Sequence, residues 1–146
     1  MADYAIHGHC LCGGVTIRIA GTHDPHVGAC HCRMCQRWSG GLFLSFDVES
    51  DALTVTGPVA RYASSAFAER AFCFVCGSHL WLRDTGPNDT SYDMIPGLFD
   101  AAHLWPLRSE VYADRALASV QLDGDHRRST KIDYELSNRF VQGDAP

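Results

Sequence analysis

The chain has 146 residues, of which 46% are hydrophobic, and its formal net charge is −5 at pH 7. This length is typical of one domain, and the hydrophobic fraction suffices for an ordinary globular core. An acidic protein does not attract a phosphate backbone, so the charge argues against a nucleic-acid partner. The chain shows neither the basic start of a secretory signal nor the roughly 20 consecutive apolar residues that span a bilayer. We therefore expect a cytoplasmic protein with no membrane partner.

Short strands separated by Gly, Pro and Asp dominate the chain. Val15, Ile17 and Ile19 alternate with polar residues, which is the period-two pattern of a half-buried strand. Enrichment in β-branched and aromatic residues predicts further strands at residues 42–46, 53–56, 59–62, 71–74, 80–83 and 91–95. Glycine–proline pairs at residues 57–58 and 86–87 mark turns between these strands.

Two short helices are also predicted. One runs from about Arg33 to Trp38 and stops before two glycines, and another follows Asp100. The tail after about residue 123 is polar, and the sequence leaves its order open. The pattern indicates one mostly β domain over residues 1–146, with antiparallel strands and metal-binding knuckles at loop ends.

Seven cysteines fall into three tight clusters, at residues 10–12, 30–35 and 73–76. In a reducing compartment, clustered cysteines are more often metal ligands than disulfides. The odd count agrees, because seven thiols cannot all pair within one chain. The alternative is a disulfide-bonded secreted domain with one free thiol, and the lack of an export signal argues against it.

Four of the cysteines have the spacing of a closed structural zinc site. In an extended strand, residues i and i+2 share a face, so Cys10 and Cys12 are expected to point at one metal while Leu11 points into the core. Cys73 and Cys76 have the usual knuckle spacing, and four thiolates close a tetrahedral zinc site. Zinc is preferred over iron because of thiolate softness and tetrahedral geometry.

The other three cysteines predict an open metal site. Extended geometry pairs Cys30 with Cys32 and turns His31 away, and a helical turn brings Cys35 back to the Cys32 side. Three thiolates leave one coordination position for water or substrate. We therefore expect two zinc ions per chain. The alternative is that all three clusters serve stability only, with a ligand exchanged.

Longer motifs surround the three clusters. They read Cys-x-Cys-Gly-Gly at residues 10–14, Cys-His-Cys-x-x-Cys-Gln-Arg at 30–37 and Phe-Cys-x-x-Cys-Gly-Ser at 72–78. Supporting stretches lie at residues 39–41, 70–73 and 96–100. Together they closely resemble the glutathione-dependent formaldehyde-activating enzyme family, which includes centromere protein V-like proteins. The resemblance runs from about Tyr4 to Asp114.

The resemblance implies a β-tent fold of stacked antiparallel sheets. It implies a structural zinc held by Cys10, Cys12, Cys73 and Cys76. It also implies a second, labile zinc, with glutathione near it, held by Cys30, Cys32 and Cys35. The family's namesake reaction joins formaldehyde to glutathione and gives S-hydroxymethylglutathione.

Several side chains near the clusters are candidates for substrate contact. Arg33 and Arg37 can bind the two carboxylates of glutathione bidentately, or they can form a solvated helix face. Trp38 fits core packing better than a pocket wall, and Arg70 suits either the site or an ion pair at a strand edge. His31 suits packing or indirect support, with substrate contact or proton transfer as the alternative. No role is assigned to five histidines without partner spacing: His7, His23, His26, His103 and His126.

The sequence as a whole predicts a zinc-dependent carbon–sulfur lyase or synthase that acts on thiol adducts. Zinc at the three-cysteine site would lower the pKa of a substrate thiol, and the thiolate would attack an aldehyde carbon. The alternatives are a non-enzymatic zinc-stabilised binding module and a zinc or redox sensor. The expected partner is a small-molecule thiol such as glutathione, and exposed strand edges are compatible with a homodimer.

Overall fold

The computed structural model describes residues 1–87 and 89–141, so the predicted domain's residues 88 and 142–146 lie outside the described residues. The chain forms two compact units. The first unit contains Met1–Pro25 and Ser45–Trp105, and the second contains His26–Leu44 and the chain from Pro106 onward. No helix among the described residues is both long enough and apolar enough to cross a membrane.

Strands prevail over helices in the described part of the chain, which confirms the predicted mostly β class. In chain order the strands are β1 (Ile6–His9), β2 (Thr16–Ile19), β3 (Val27–Cys30), β4 (Phe43–Glu49), β5 (Leu53–Thr56), β6 (Val59–Ala63), β7 (Ala68–Cys73), β8 (His79–Asp84), β9 (Ser91–Met94), β10 (Leu107–Val111) and β11 (Arg127–Ser129). The α-helices are α1 (Arg33–Ser39) and α2 (Lys131–Ser137). Short 3-10 helices lie at Ser50–Ala52, Pro96–Leu98, Asp100–Leu104 and Ala113–Arg115.

The first unit is built from two antiparallel sheets that share one core. One sheet has the order β1-β2-β5, and the other has the order β4-β9-β8-β7-β6. Ile17 and Ile19 of β2 alternate with exposed neighbours and join Phe46, Leu80 and Met94 in the core. Burying a side chain of this size contributes about 1.5–3 kcal/mol. The predicted period-two alternation around β2 is thus confirmed.

The second unit contains parallel strands in the order β11-β10-β3. Parallel neighbours need a long crossover, which residues 112–126 provide between β10 and β11. The predicted helix after residue 32 is confirmed as α1, which ends at Gly40 in the left-handed region (φ 90°). The polar tail contains β11 and α2, and α2 begins with a capping box between Thr130 and Asp133.

Candidate functional site

The sulfur atoms of four cysteines lie within 4.8 Å of one another in the first unit. This four-cysteine group consists of Cys10, Cys12, Cys73 and Cys76. One tight turn after Cys10 and another after Cys73 bring the sulfurs together. The Gly13 amide donates to the Cys10 carbonyl at 3.0 Å, and the Gly77 amide donates to the Cys73 carbonyl at 2.9 Å. Both glycines have φ 76°, a left-handed value that strains other residues.

The first pair of sulfurs converges through a turn rather than through an extended strand. The expectation that Leu11 points into the core is wrong, because its side chain is 86% exposed at the tip of the turn. The Cys10 and Cys12 sulfurs nevertheless lie 3.5 Å apart. The turn therefore brings the two thiols together without the strand alternation that the sequence suggested.

Hydrogen bonds to sulfur support the four-cysteine group. The Val15 amide donates to Cys10 Sγ at 3.2 Å, and the Gly14 amide lies 3.4 Å from Cys12 Sγ. Ser78 Oγ lies 3.2 Å from Cys76 Sγ and accepts the Leu11 amide at 3.0 Å. Amide and hydroxyl donors aimed at sulfur favour the thiolate form, which is the form that binds metal.

Cysteines of this group differ in the direction in which their pKa values are shifted. The Ser78 hydroxyl and backbone lower the pKa of Cys76 to about 5. The Gly14 amide also lowers the pKa of Cys12, but neighbouring Cys10, burial and the other thiols outweigh it and raise that pKa to about 11. Repulsion between neighbouring thiolates therefore opposes the ionisation of all four cysteines. A bound divalent cation would offset this repulsion and favour the thiolates. The donor set fits a soft tetrahedral cation such as Zn²⁺.

The second unit brings together the trio, which consists of Cys30, Cys32 and Cys35, again with sulfurs within 4.8 Å of one another. Cys30 ends β3, and Cys32 is the N-cap of α1, where its sulfur lies 3.4 Å from the Cys35 amide. Cys32 and Cys35 are buried and Cys30 is half-buried. The adjacent Cys32 and Cys35 sulfurs raise the pKa of Cys30 well above its usual range. The trio thus fits the same kind of cation with one protein ligand fewer.

The ring of His31 binds a buried carboxylate beside the trio. His31 Nε2 lies 2.7 Å from Glu110 Oε1, and His126 Nε2 and Arg128 Nε lie 2.5 and 3.0 Å from Glu110 Oε2. Burial alone would raise the pKa of Glu110, but the hydrogen bonds with His126 and His31 outweigh it and hold that pKa below its usual range. Sequence reasoning missed Glu110 and His126, because 79 residues separate His31 from Glu110 and no motif connects them.

The predicted substrate-contact residues differ in their surroundings. Arg33 and Arg37 are exposed on α1, one helical turn apart, and Trp38 is half-buried on the same helix. Arg70 is buried in β7 of the first unit. Burial, followed by the charge of Arg70, lowers the pKa of His79. Of the predicted arginines, Arg33 and Arg37 are therefore exposed on the helix that carries Cys35, whereas Arg70 is buried in the first unit.

The fold and the two sites define the class of this molecule. It is a mostly β protein with two cysteine groups that could hold metal ions. Residues 5–115 match the family described as "Glutathione-dependent formaldehyde-activating enzyme". The chain belongs to this family, which confirms the resemblance drawn from its cysteine motifs.

Two curated relatives carry names consistent with that family. An "Uncharacterized lyase" of Schizosaccharomyces pombe is 35% identical over 86 residues, which cover 58% of this chain and 61% of the relative. A "Putative glutathione-dependent formaldehyde-activating enzyme" of Halomonas elongata is 30% identical over 88 residues, which cover 54% of this chain and 56% of the relative. The chain thus spans about three fifths of the length of the curated relatives that it matches.

A solved structure shares the fold. The crystal structure of a Rhodobacter sphaeroides protein matches with a TM-score of 0.56 at 19% identity. The match covers 70% of this chain and 99% of that chain. The mostly β fold with stacked sheets that the family resemblance implied is thereby confirmed.

Proposed function

We propose that this protein is a zinc-dependent carbon–sulfur lyase or synthase that acts on adducts between a thiol and an aldehyde. The observation that carries the proposal is the trio, a group of three converging sulfurs that is distinct from the group of four. Four thiolates complete a structural zinc site, whereas three leave a position for a substrate. Membership of the formaldehyde-activating family supports glutathione and formaldehyde as the first substrates to test.

The two metal assignments follow from the donor sets. We propose a structural zinc at Cys10, Cys12, Cys73 and Cys76, and a catalytic zinc at Cys30, Cys32 and Cys35. Zinc at the trio would lower the pKa of a substrate thiol and so supply a thiolate at neutral pH. Both groups need reduced thiols, so we place the activity in the reducing cytoplasm.

The chain's own residues then bind and orient the substrate. Arg33 and Arg37 lie on the exposed side of α1 and are proposed to hold the two carboxylates of glutathione. In the synthase direction the glutathione sulfur bonds to the formaldehyde carbon, and the thiol proton ends on the new hydroxyl group. In the lyase direction the same carbon–sulfur bond breaks and the proton returns to sulfur.

Exchange NMR between glutathione and its formaldehyde adduct tests this proposal. Zinc-loaded protein is expected to accelerate the exchange above its uncatalysed rate, and Cys35→Ser is expected to abolish the acceleration. Zinc counting supplies the control, because Cys35→Ser should keep one zinc ion and a wild-type circular dichroism spectrum. Equal acceleration by Cys35→Ser and wild type would contradict the role of the trio.

A redox or zinc sensor is the second candidate function. The observation that favours it is the closeness of the three trio sulfurs, because thiols this close can form a disulfide when a labile metal leaves. Peroxide treatment distinguishes the candidates. A sensor would release one zinc and form a disulfide that a thiol reductant reverses. A non-enzymatic binding module would instead hold its zinc through the same treatment and show no thiol-dependent exchange.

We also propose that the chain acts as a single zinc-binding domain. The family match over residues 5–115 includes parts of both compact units, which supports this reading. The proposed partner is a small-molecule thiol, with a homodimer as a further expectation that the mass of the protein in solution would test.

A further inference from the structure

The position of the trio depends on contacts outside its own local turn. His31, which lies between two of its cysteines, makes three hydrogen-bond contacts, through its amide, its carbonyl and its ring. The His31 amide donates to the Val111 carbonyl at 3.1 Å, and the His31 carbonyl accepts the Gln36 side-chain amide at 2.7 Å. The ring completes the set through its 2.7 Å contact with Glu110. Because His31 lies between Cys30 and Cys32, these contacts fix the backbone that places two of the three sulfurs.

Glu110 connects that backbone to residues 126–128. It lies in β10 beside Ala29 of β3 on one side and Arg128 of β11 on the other. Its second carboxylate oxygen contacts His126 and Arg128. A buried carboxylate needs such partners, since an unpaired buried charge costs several kcal/mol. His126 and Arg128 therefore help to hold the Glu110 carboxylate in place, and the carboxylate in turn contacts the His31 ring.

A second contact joins the same two regions. Tyr112 directly follows the residue that pairs with Cys30 and adopts the left-handed region with φ 55°, a conformation that bulky side chains rarely hold without support. Its hydroxyl donates to Glu135 of α2 at 3.1 Å. The backbone beside the trio is thus tied to α2 as well as to β11.

We infer that residues 126–137, which lie beyond the family match at residues 5–115, form a positioning segment for the trio through the His126–Glu110–His31 chain. This inference rests on the proposed metal site at the trio. The segment touches neither substrate nor metal in this scheme. It sets the separation of the sulfurs and so the affinity of the site for zinc.

Zinc affinity at the two cysteine groups, measured on the full chain by competition with a chromogenic chelator, tests the inference. His126→Ala is expected to weaken zinc binding at the trio by about tenfold, the lower end of the effect of removing a direct partner of a metal ligand, because His126 acts through Glu110 and His31. The four-cysteine group should be unchanged. His126→Gln keeps a side-chain N–H donor and is expected to restore affinity. Arg127→Ala changes an exposed neighbour in β11 and is the matched control.

The outcomes separate this inference from the proposed function. Wild-type affinity of the trio in His126→Ala overturns the inference, and so does an equal loss at both cysteine groups, which would indicate general destabilisation. Failure of His126→Gln to restore affinity also contradicts it. A wild-type protein that binds zinc only at the four-cysteine group would overturn the proposed function together with the inference.

Discussion

Arg33 and Arg37 are the exposed cations nearest in sequence to Cys35 on α1. If they bind the carboxylates of glutathione, Arg33→Ala and Arg37→Ala should each raise the KM for glutathione by about tenfold, since a charge-assisted hydrogen bond contributes about 1.5–3 kcal/mol. Steady-state kinetics with 2-mercaptoethanol, which has no carboxylate, should show no such change. Arg18→Ala, on the exposed face of β2, is the control. An equal KM rise for both thiols would contradict carboxylate binding.

Gly57 shows how closely the backbone approaches the four-cysteine group. Its φ is 118°, and an added Cβ would overlap the Gly14 carbonyl oxygen and stand 2.9 Å from the Val15 Cα. Gly57→Ala should therefore lower the free energy of unfolding by at least about 2 kcal/mol in urea titration. Gly97→Ala is the control, because open space surrounds that position, and it should change stability by less than about 0.5 kcal/mol.

At the scale of residues, the sequence predicted the cysteine groups but not the surroundings of Leu11 and His126. Cysteine spacing was enough to predict the trio and the two pairs of the four-cysteine group, because each of these is local in sequence. The union of the two pairs in one group depends on contact between turns 61 residues apart. The same reasoning misplaced Leu11, since a turn can bring sulfurs at i and i+2 together as well as a strand can. His126 had no visible partner, because its contact with Glu110 depends on the long-range pairing of β10 with β11.

At the scale of elements, β4 and β9 place two carboxylates opposite each other. Asp47 and Asp93 are direct cross-strand partners, and like charges in that position repel. Burial, followed by the charges of Asp47 and Asp84, raises the pKa of Asp93 to about 7. In the unfolded chain the same carboxyl ionises near pH 4. The folded protein therefore keeps a proton that the unfolded chain loses between about pH 4 and pH 7.

The pH dependence of stability follows from this difference. Because the unfolded state binds fewer protons in that window, Asp93 makes the free energy of unfolding fall as pH rises from about 4 to 7. Asp93→Asn removes the titration and should stabilise the protein by up to about 4 kcal/mol at pH 8, with little effect at pH 4. Urea titrations at both pH values measure this. Asp51→Asn, at an exposed position, should show no such dependence, and an equal gain at both pH values would contradict the assignment.

Elements with a regular apolar pattern could be predicted, and those that depend on distant partners could not. Strands β2, β5, β6, β8 and β9 follow the expected ranges closely, because β-branched and aromatic residues define them locally. Strand β10 was not predicted, because its buried residue Glu110 is charged. The sequence did not reveal that Arg128 of β11 and His31 pair with this carboxylate and so allow its burial. Helix α2 is short and has no buried residue, so its capping box is the main local signal for it.

At the scale of the whole molecule, the two cysteine groups differ in how much chain they constrain. The four-cysteine group joins turns that are 61 residues apart, from Cys12 to Cys73, whereas the trio lies within six consecutive positions. A metal that closes a long loop removes more conformational freedom from the unfolded chain. We therefore expect the four-cysteine metal to contribute most to folding, and the trio metal to contribute mainly to chemistry.

Removal of metal should consequently occur in two steps. As chelator is added to zinc-loaded protein, the trio should lose its ion first, because it has three protein ligands instead of four, and the far-UV circular dichroism should stay unchanged. Loss of the second ion should lower Tm by at least about 10 °C, since structural zinc sites contribute several kcal/mol to folding. Metal content and circular dichroism, measured on the same samples, follow both steps. Cys35→Ser should show only the second step. Simultaneous loss of both ions and of the fold would mean that the trio is structural, and the open position that the proposed chemistry requires would then lack support.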